Sequence, residues 1–268
     1  MCSEVVRPVQ QNFGDVTATT EGYVGTAELR RPPDNFFDAA LIAALADAYA
    51  WLETQGSRAI VLCSEGKHFC AGADFTGRSQ QARRIGAANV ARELYDQALR
   101  LFQAVVPVVA AVQGAAVGGG LGLACSADFR VASPQSRFSA NFARIGLHHG
   151  FGLSATLPAI IGRQRAVDLL YTGRRIGGEE AVRIGLADRL AEPAELRGAA
   201  RAFAAEIASA APLAVRSIRA TMRAWLVDEV RAATDRELSE QRQLWPTEDF
   251  AEGVKAASER RPARFAGR

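Results

Sequence analysis

The chain has 268 residues, of which 49% are hydrophobic and 23% charged, with a formal net charge of +3. Those proportions belong to one large globular domain, or one with a small appendage, and they exclude a disordered chain, a collagen-like repeat and a disulfide-stapled mini-protein. The positive charge is local, since residues 254–268 hold Lys255, Arg260, Arg261, Arg264 and Arg268 against Glu259, so no nucleic-acid surface is expected and only a small anion site near the C-terminus is suggested.

In chain order, Val16 to Leu29 alternates in short stretches and reads as a strand pair. Arg31-Pro32-Pro33-Asp34-Asn35 is a loop by its prolines and Asx residues. Leu41, Leu45, Ala48 and Leu52 recur at helical spacing, which predicts a helix from Leu41 to Thr54; Arg58 to Cys63 then reads as a buried strand. The pattern returns with a helix over Asn89–Phe102 (Val90, Leu94, Ala98 and Leu101 on one face) and a buried strand over Val105–Val112. A helix starting at Gly118, a strand over Asp128–Ala132, a further strand over Phe138–Ile145 and a helix from about Leu153 follow. This alternation predicts an α/β domain, and its period near 50 residues suits a spiral of strand–strand–helix turns, although periodicity alone does not separate that from a doubly wound sheet. Strand signals stop near Glu192. We therefore expect a core over residues 1–195 and a helical region over 196–268, with breaks at Pro212 and Pro246.

The cysteines, Cys2, Cys63, Cys70 and Cys125, form no Cys-x-x-Cys pair and no zinc spacing. No metal is expected, and a reducing, cytoplasmic setting fits best. The N-terminus has no long apolar stretch, so a secretory signal is not expected; the most apolar run, Val105 to Val112, is too short for a bilayer, so neither is a membrane anchor.

Three segments have chemical potential. Lys67 to Phe75 follows a strand and carries Ala71-Gly72-Ala73, small residues that let a ligand approach the backbone; its plainer reading is a tight turn. Gly118-Gly119-Gly120 lies between a buried strand and a helix, where free N–H groups form an anion cradle or where the backbones simply pack closely. Neither a P-loop nor a Gly-x-Gly-x-x-Gly fingerprint can be laid on it, because no Gly-Lys-Ser/Thr occurs and position 123 is Leu. The third segment, Ile145 to Gly152, holds adjacent His148 and His149, suited to proton transfer near neutral pH or to packing and capping.

Taken together, the ordered series Phe69-Cys70-Ala71-Gly72-Ala73-Asp74, Gln113-Gly114-Ala115 with Gly118-Gly119-Gly120, Ala127 to Ala132, Ile145-Gly146-Leu147, Leu157-Pro158, Thr172-Gly173-Arg174, Ile184-Gly185-Leu186 and the tail Arg261-Pro262 with Phe265 to Arg268 resembles the crotonase superfamily, the enoyl-CoA hydratase/isomerase family, from about residue 16 to 268. Each motif alone is weak; the series at these spacings is specific. The resemblance implies a crotonase-like spiral of ββα units with a C-terminal helical trimerisation region, and hence a homotrimer or hexamer. It implies an acyl-CoA ligand, with the coenzyme A thioester as substrate and no further cofactor. Two backbone N–H donors for the thioester oxygen map to Ala73 and Gly119, and Ala71, Gly72, Asp74, Phe75, Gly118, Gly122 and Phe142 fall among the ligand-lining positions. In a water-poor site such donors contribute about 3–4 kcal/mol each to a transition state with charge on that oxygen.

The sequence departs from the pattern at the acid/base positions. The family's hydratases carry glutamates two residues after the glycine triplet and four after the residue matched by Phe138; here these are Gly122 and Phe142, and no Glu occurs between Leu94 and Gly178. Two-glutamate hydration and single-glutamate isomerisation are therefore disfavoured. His149, where many relatives carry proline, or His148, is the candidate replacement, with His68 a weaker one. Three readings result: an acyl-CoA lyase, isomerase or hydrolase that stabilises a thioester enolate and uses histidine; an acyl-CoA binding protein without turnover, in which Gly122 and Phe142 enlarge or line the pocket; and a hydratase with a non-glutamate water site.

Overall fold

The computed structural model describes residues 8–73 and 87–268. Seven strands form the main sheet in the order β1 (Gln10–Phe13), β2 (Val16–Glu21), β3 (Val24–Leu29), β4 (Ala59–Ser64), β5 (Val108–Val112), β7 (Phe129–Ala132), β10 (Arg189–Leu190). The first three pair antiparallel and the rest parallel, with Ile60 opposite Val108 and Val109 opposite Phe129. A second sheet of three short strands, β6 (Ala115–Val117), β8 (Arg137–Ser139) and β9 (Arg175–Gly177), carries the chain toward the glycine-rich helix.

The unbroken apolar runs of β4 and β5 make sense because both faces of the sheet are covered. Ile60, Leu62, Val108 and Ala110 point into the larger core with α1 (Ala39–Thr54), whose Leu41, Leu45, Ala48 and Leu52 are all buried. Ala59, Val61, Cys63, Val109 and Ala111 point the other way, onto α7 (Leu196–Ala208). There Leu196, Ala200, Ala204 and Ala208 repeat every four residues, a stripe narrow enough for the helix to lie close on the strands. The remaining C-terminal helices are α8 (Pro212–Met222), α9 (Leu226–Leu244) and α10 (Glu248–Ser258). Pro212 begins a helix rather than ending one, at the first position where its missing N–H costs nothing. Among the described residues no helix is long and apolar enough to cross a membrane.

One element differs from expectation. The strand expected over Phe138–Ile145 ends at Ser139, and Asn141–Ile145 forms a 3-10 turn. Phe138, Ala140 and Phe142 mimic strand alternation, but the partners β6 and β9 are only three residues long, so the ladder runs out. The chain then closes on itself, with the Leu147 N–H donating to the Phe142 carbonyl at 3.0 Å. The helices expected over Asn89–Phe102, from Gly118 and from about Leu153 form as Ala87–Phe102 (α2), Gly119–Ser126 (α3) and Leu153–Ile161 (α4), and Arg163–Thr172 (α5) and Gly178–Arg183 (α6) complete the set described.

Candidate functional site

The site is built where two chain segments meet. Residues 69–73 run beside β6: the Cys70 N–H donates to the Ala115 carbonyl at 2.9 Å, and the Val117 N–H donates to the Cys70 carbonyl at 3.1 Å. His68 fastens the entry to this segment, its Nδ1 accepting the Ala115 N–H at 3.1 Å while Nε2 lies 3.8 Å from Asp34. It is a buckle between two loops, which accounts for a histidine here without a chemical role.

Gly72 has φ +103, a conformation that L side chains rarely adopt, and a Cβ there would stand 3.0 Å from the Val117 carbonyl and 3.8 Å from the Gly119 nitrogen. Residues 71–73 are thus pressed against the junction of β6 and α3. Gly118, at φ +57, turns the chain from β6 into α3 and gives its own N–H to Ser139 at 2.8 Å. A Cβ on Gly119 would collide with the Phe37 ring, and one on Gly120 with the Cys70 carbonyl. Each glycine of the triplet therefore has its own steric reason. Phe37 links both halves: its N–H donates to the Gly72 carbonyl at 3.0 Å, its backbone bridges that of Ala73, and its ring lies on Gly119. Gly119 opens α3, where the first N–H groups have no carbonyl one turn back. Among the described residues, neither the Ala73 nor the Gly119 amide has an acceptor. Asp74 and Phe75 lie outside the described residues, as does most of the segment from Phe75 to Val90 expected to line an acyl pocket.

The surroundings of this junction are aromatic. Phe142 is 8% exposed, and its ring would lie 3.7 Å from a Cβ on Gly118. Against the expectation of a vacated position at Gly122, that space is filled: a Cβ there would stand 2.6 Å from Phe151 Cβ. Phe151 is fully buried, adopts φ +62 and packs its ring 5.3 Å from that of Phe37. Sequence reasoning missed Phe37 and Phe151, because each acquires its role only when segments distant in the chain meet.

The histidine pair sits just before Phe151. The rings stack with centroids 4.1 Å apart. His148 Nδ1 lies 2.8 Å from the His149 carbonyl, which fixes it as a donor, and His149 Nε2 lies 2.8 Å from Ser154 Oγ. Burial, reinforced by His148, pushes His149 down to about 4, so its imidazole is neutral near pH 7. Behind the pair, α9 presents Glu237 and Gln241 on one face. Gln241 Oε1 accepts from the Tyr95 hydroxyl at 3.0 Å, and its Nε2 donates to the His148 and His149 carbonyls at 3.1 and 3.3 Å. Glu237 has no exposure at all; it accepts the N–H groups of Gly152 at 2.8 Å and Ser154 at 2.9 Å at the start of α4. Burial raises its proton affinity while those amides and the Ser154 hydroxyl oppose the rise. Its register was a usable signal: Val230, Thr234, Glu237, Leu238 and Gln241 form one buried helical stripe, in which a carboxylate and an amide are out of place unless they bind something.

Two further charged groups take structural parts. Asp128 accepts the Val108 N–H at 2.8 Å and pairs with Arg219 at 3.1 Å and Arg223 at 2.6 Å, tying α8 to the sheet. In the basic tail, Arg261 is held by Glu252 at 2.6 Å and Glu259 at 2.6 Å, which leaves it spoken for as an anion ligand. The buried thiols of Cys63 and Cys70 are each pushed up to about 12, far from a reactive thiolate.

Comparison with known proteins agrees with this architecture. A family model described as enoyl-CoA hydratase/isomerase matches residues 19–268. The (E)-benzylidenesuccinyl-CoA hydratase of Thauera aromatica is 34% identical over 259 residues, covering 94% of this chain and 99% of that protein. A crotonyl-CoA hydratase of Syntrophomonas wolfei is 35% identical over 211 residues, covering 77% and 79%. Among solved structures, an enoyl-CoA hydratase from Mycobacterium avium subsp. paratuberculosis superposes with TM-score 0.82 at 26% identity, over 94% of this chain and 99% of that one. With the match running through both sheets, the glycine junction and the C-terminal helices, the chain belongs to the enoyl-CoA hydratase/isomerase family.

Proposed function

We propose that the protein binds an acyl-CoA thioester and stabilises negative charge on its carbonyl oxygen with the Ala73 and Gly119 amides. The observation that carries this reading is the close approach of Gly72 to the start of α3, where a Cβ on Gly72 would stand 3.8 Å from the Gly119 nitrogen, with the Ala73 and Gly119 amides both lacking an acceptor among the described residues. Fixed N–H dipoles of this kind need no reorganisation as charge develops, so they act on the transition state more than on the ground state. Ala71, Gly72 and Gly118 serve by having no bulk between donor and ligand.

The chemistry differs from two-carboxylate hydration. Gly122 and Phe142 hold no proton, and Phe151 covers the first of these positions. His149 takes their place: neutral near pH 7, it accepts a proton from the acyl α-carbon as the electron pair moves onto the thioester oxygen, and returns it in the reverse step. A lyase step would use this pair of functions directly; decarboxylation and thioester hydrolysis would use the same oxyanion donors, with the imidazole delivering a proton to the enolate carbon in the first and taking one from water in the second. The apolar Phe142 and Phe151 favour one second reading, acyl-CoA binding without turnover, in which they line the acyl chain.

The test is twofold. Crotonyl-CoA hydration is expected to be undetectable; robust hydration by the unmodified chain would show that glutamate-free chemistry is misassigned. With the acyl-CoA that copurifies, identified by mass spectrometry, His149→Ala should lower turnover by about two to four powers of ten with binding retained. An unchanged rate removes His149, and tight binding with no turnover by the parent chain leaves the binding reading.

We further propose a cytoplasmic homotrimer or hexamer. Ile218 and Met222, four residues apart on one face of α8, are 63% and 67% exposed, an apolar pair suited to burial against another copy of the chain.

A further inference from the structure

His68 takes no part in the proposed chemistry, yet its ring is wedged between the two stretches of chain that set the position of Ala73. We infer that His68 is a positioning residue for the Ala73 amide and acts as a proton-sensitive latch: its neutral imidazole ties residues 68–73 to the entry of β6, and protonation releases that tie. The inference rests on the reading of Ala73 as a donor to the thioester oxygen, and it deepens that reading by naming what holds the donor in place and what lets it go.

The Ala115 N–H donates to His68 Nδ1 at 3.1 Å. A ring nitrogen accepts only when it carries no proton, so this bond requires the neutral Nε2–H tautomer. Protonation puts an N–H on Nδ1, and two donors then face each other with no acceptor between them. The ring is packed on the strand and not merely near it, since a Cβ on Gly114 would stand 2.7 Å from the same nitrogen. On its far side Nε2 lies 3.8 Å from Asp34, too long for a hydrogen bond but within reach of an ion pair once the ring is charged. The carboxylate therefore favours the protonated, released state. Asp34 is also the residue whose carbonyl accepts the Ala71 N–H at 2.9 Å, and the same loop gives the Phe37 N–H to the Gly72 carbonyl at 3.0 Å. Turning the ring from Ala115 toward Asp34 accordingly changes the forces on both sides of residues 71–73. The bonds from the Phe69 N–H to the Gln113 carbonyl at 2.8 Å and from the Cys70 N–H to the Ala115 carbonyl at 2.9 Å remain, so release displaces Ala73 without unfolding the segment. The other charged groups on the elements around the ring do not stand in for Asp34. Lys67 on its own segment and Arg137 at the start of β8 are exposed, Glu65 is paired with Arg30 at 3.0 Å, and Arg31 on the Asp34 loop is held by Asp15 and Asp38.

The experiment is nitrogen-15 NMR of the full-length protein without ligand, titrated from about pH 8 downward until it unfolds, with the imidazole nitrogens and the backbone amides followed together. At the basic end His68 should show an unprotonated Nδ1 and a protonated Nε2; a dominant Nδ1–H form overturns the inference at once. As His68 takes up its proton, the Ala115 and Ala73 amide resonances should shift with the same midpoint, and the hydrogen-exchange protection of Ala115 should fall by about threefold to tenfold, the worth of one hydrogen bond. Protonation of His68 with those two amides unmoved refutes the latch, as does an imidazole that takes no proton before the chain unfolds. In His68→Asn the side-chain oxygen replaces Nδ1 as the acceptor and cannot be protonated, so the step in the Ala115 and Ala73 resonances should disappear. A folded variant that keeps the step assigns it to another group and also refutes the latch; should the variant not fold, the shared midpoint in the parent chain decides alone. The titration needs no substrate, so a thioester oxygen found bound away from Ala73 would remove the donor reading while leaving the latch measured, and an absent latch would leave the donor reading to the ligand-bound structure.

Discussion

The claim that Phe151 occupies the position over Gly122 has a thermodynamic consequence. In Gly122→Ala the new methyl would stand 2.6 Å from Phe151 Cβ, 2.9 Å from Cδ1 and 3.0 Å from Cγ. The nearest of these is a Cβ, fixed to its own backbone, so no rotamer change relieves it. Nor can the Phe151 segment retreat easily, since a Cβ on the next residue, Gly152, would already lie 2.9 Å from Val230. Overpacking of this kind costs about 1–3 kcal/mol. It outweighs or cancels the gain of about 1 kcal/mol that Ala brings over Gly inside a helix. Phe151→Gly removes both the ring and the Cβ and suits the φ of +62; it costs stability through the cavity it leaves, offset in part by relief of backbone strain. In that background Gly122→Ala should become neutral or stabilising. Denaturant unfolding of the four proteins should therefore give a coupling of about 1–3 kcal/mol. Additivity within about 0.5 kcal/mol would mean that the two residues do not share the space, and the aromatic replacement of a carboxylate would lose its structural basis. For the same reason Gly122→Glu with Phe142→Glu should fail to install hydratase chemistry unless Phe151→Gly is added.

Asp128→Ala should cost about 3–5 kcal/mol in urea unfolding, because it leaves Arg219 and Arg223, both largely buried, facing each other without their shared carboxylate. His149 sets a pH dependence: held near 4 in the folded chain against an ordinary 6.5, it lets the unfolded chain take the proton first. Stability should accordingly fall as pH drops from 6.5 toward 4, by up to about 3 kcal/mol, and His149→Asn should flatten that slope; an identical slope in both proteins refutes the burial argument. Glu237, its proton affinity raised by burial, contributes the opposite trend above its ordinary 4.5, so the comparison must be made between the two proteins rather than on the parent alone.

Much of the fold was legible in the sequence for identifiable reasons. The buried strands at Ala59–Ser64 and Val108–Val112 announce themselves as apolar runs because helices cover both faces of their sheet. The helix over Ala39–Thr54 shows a one-sided stripe because it packs on one. The 3-10 turn at Asn141–Ile145 was hidden, since its alternation satisfies a strand pattern while its termination depends on the length of β6 and β9, which local sequence does not carry. At the site, the glycine triplet and the Ala71–Ala73 segment were recognisable as places of close backbone approach. The loss of carboxylates at 122 and 142 was equally plain. What replaced them was not: Phe151, Ser154 and Glu237 come from a loop and two helices, and only their meeting shows that one fills the space and the others surround His149.

The most direct measurement is a crystal structure of the protein with an acyl-CoA bound. The account predicts the thioester oxygen about 2.7–3.1 Å from the amide nitrogens of both Ala73 and Gly119, with the His149 imidazole facing the acyl carbons and no carboxylate beside them. A thioester oxygen bound elsewhere, or an acidic side chain reaching the acyl α-carbon, would contradict it.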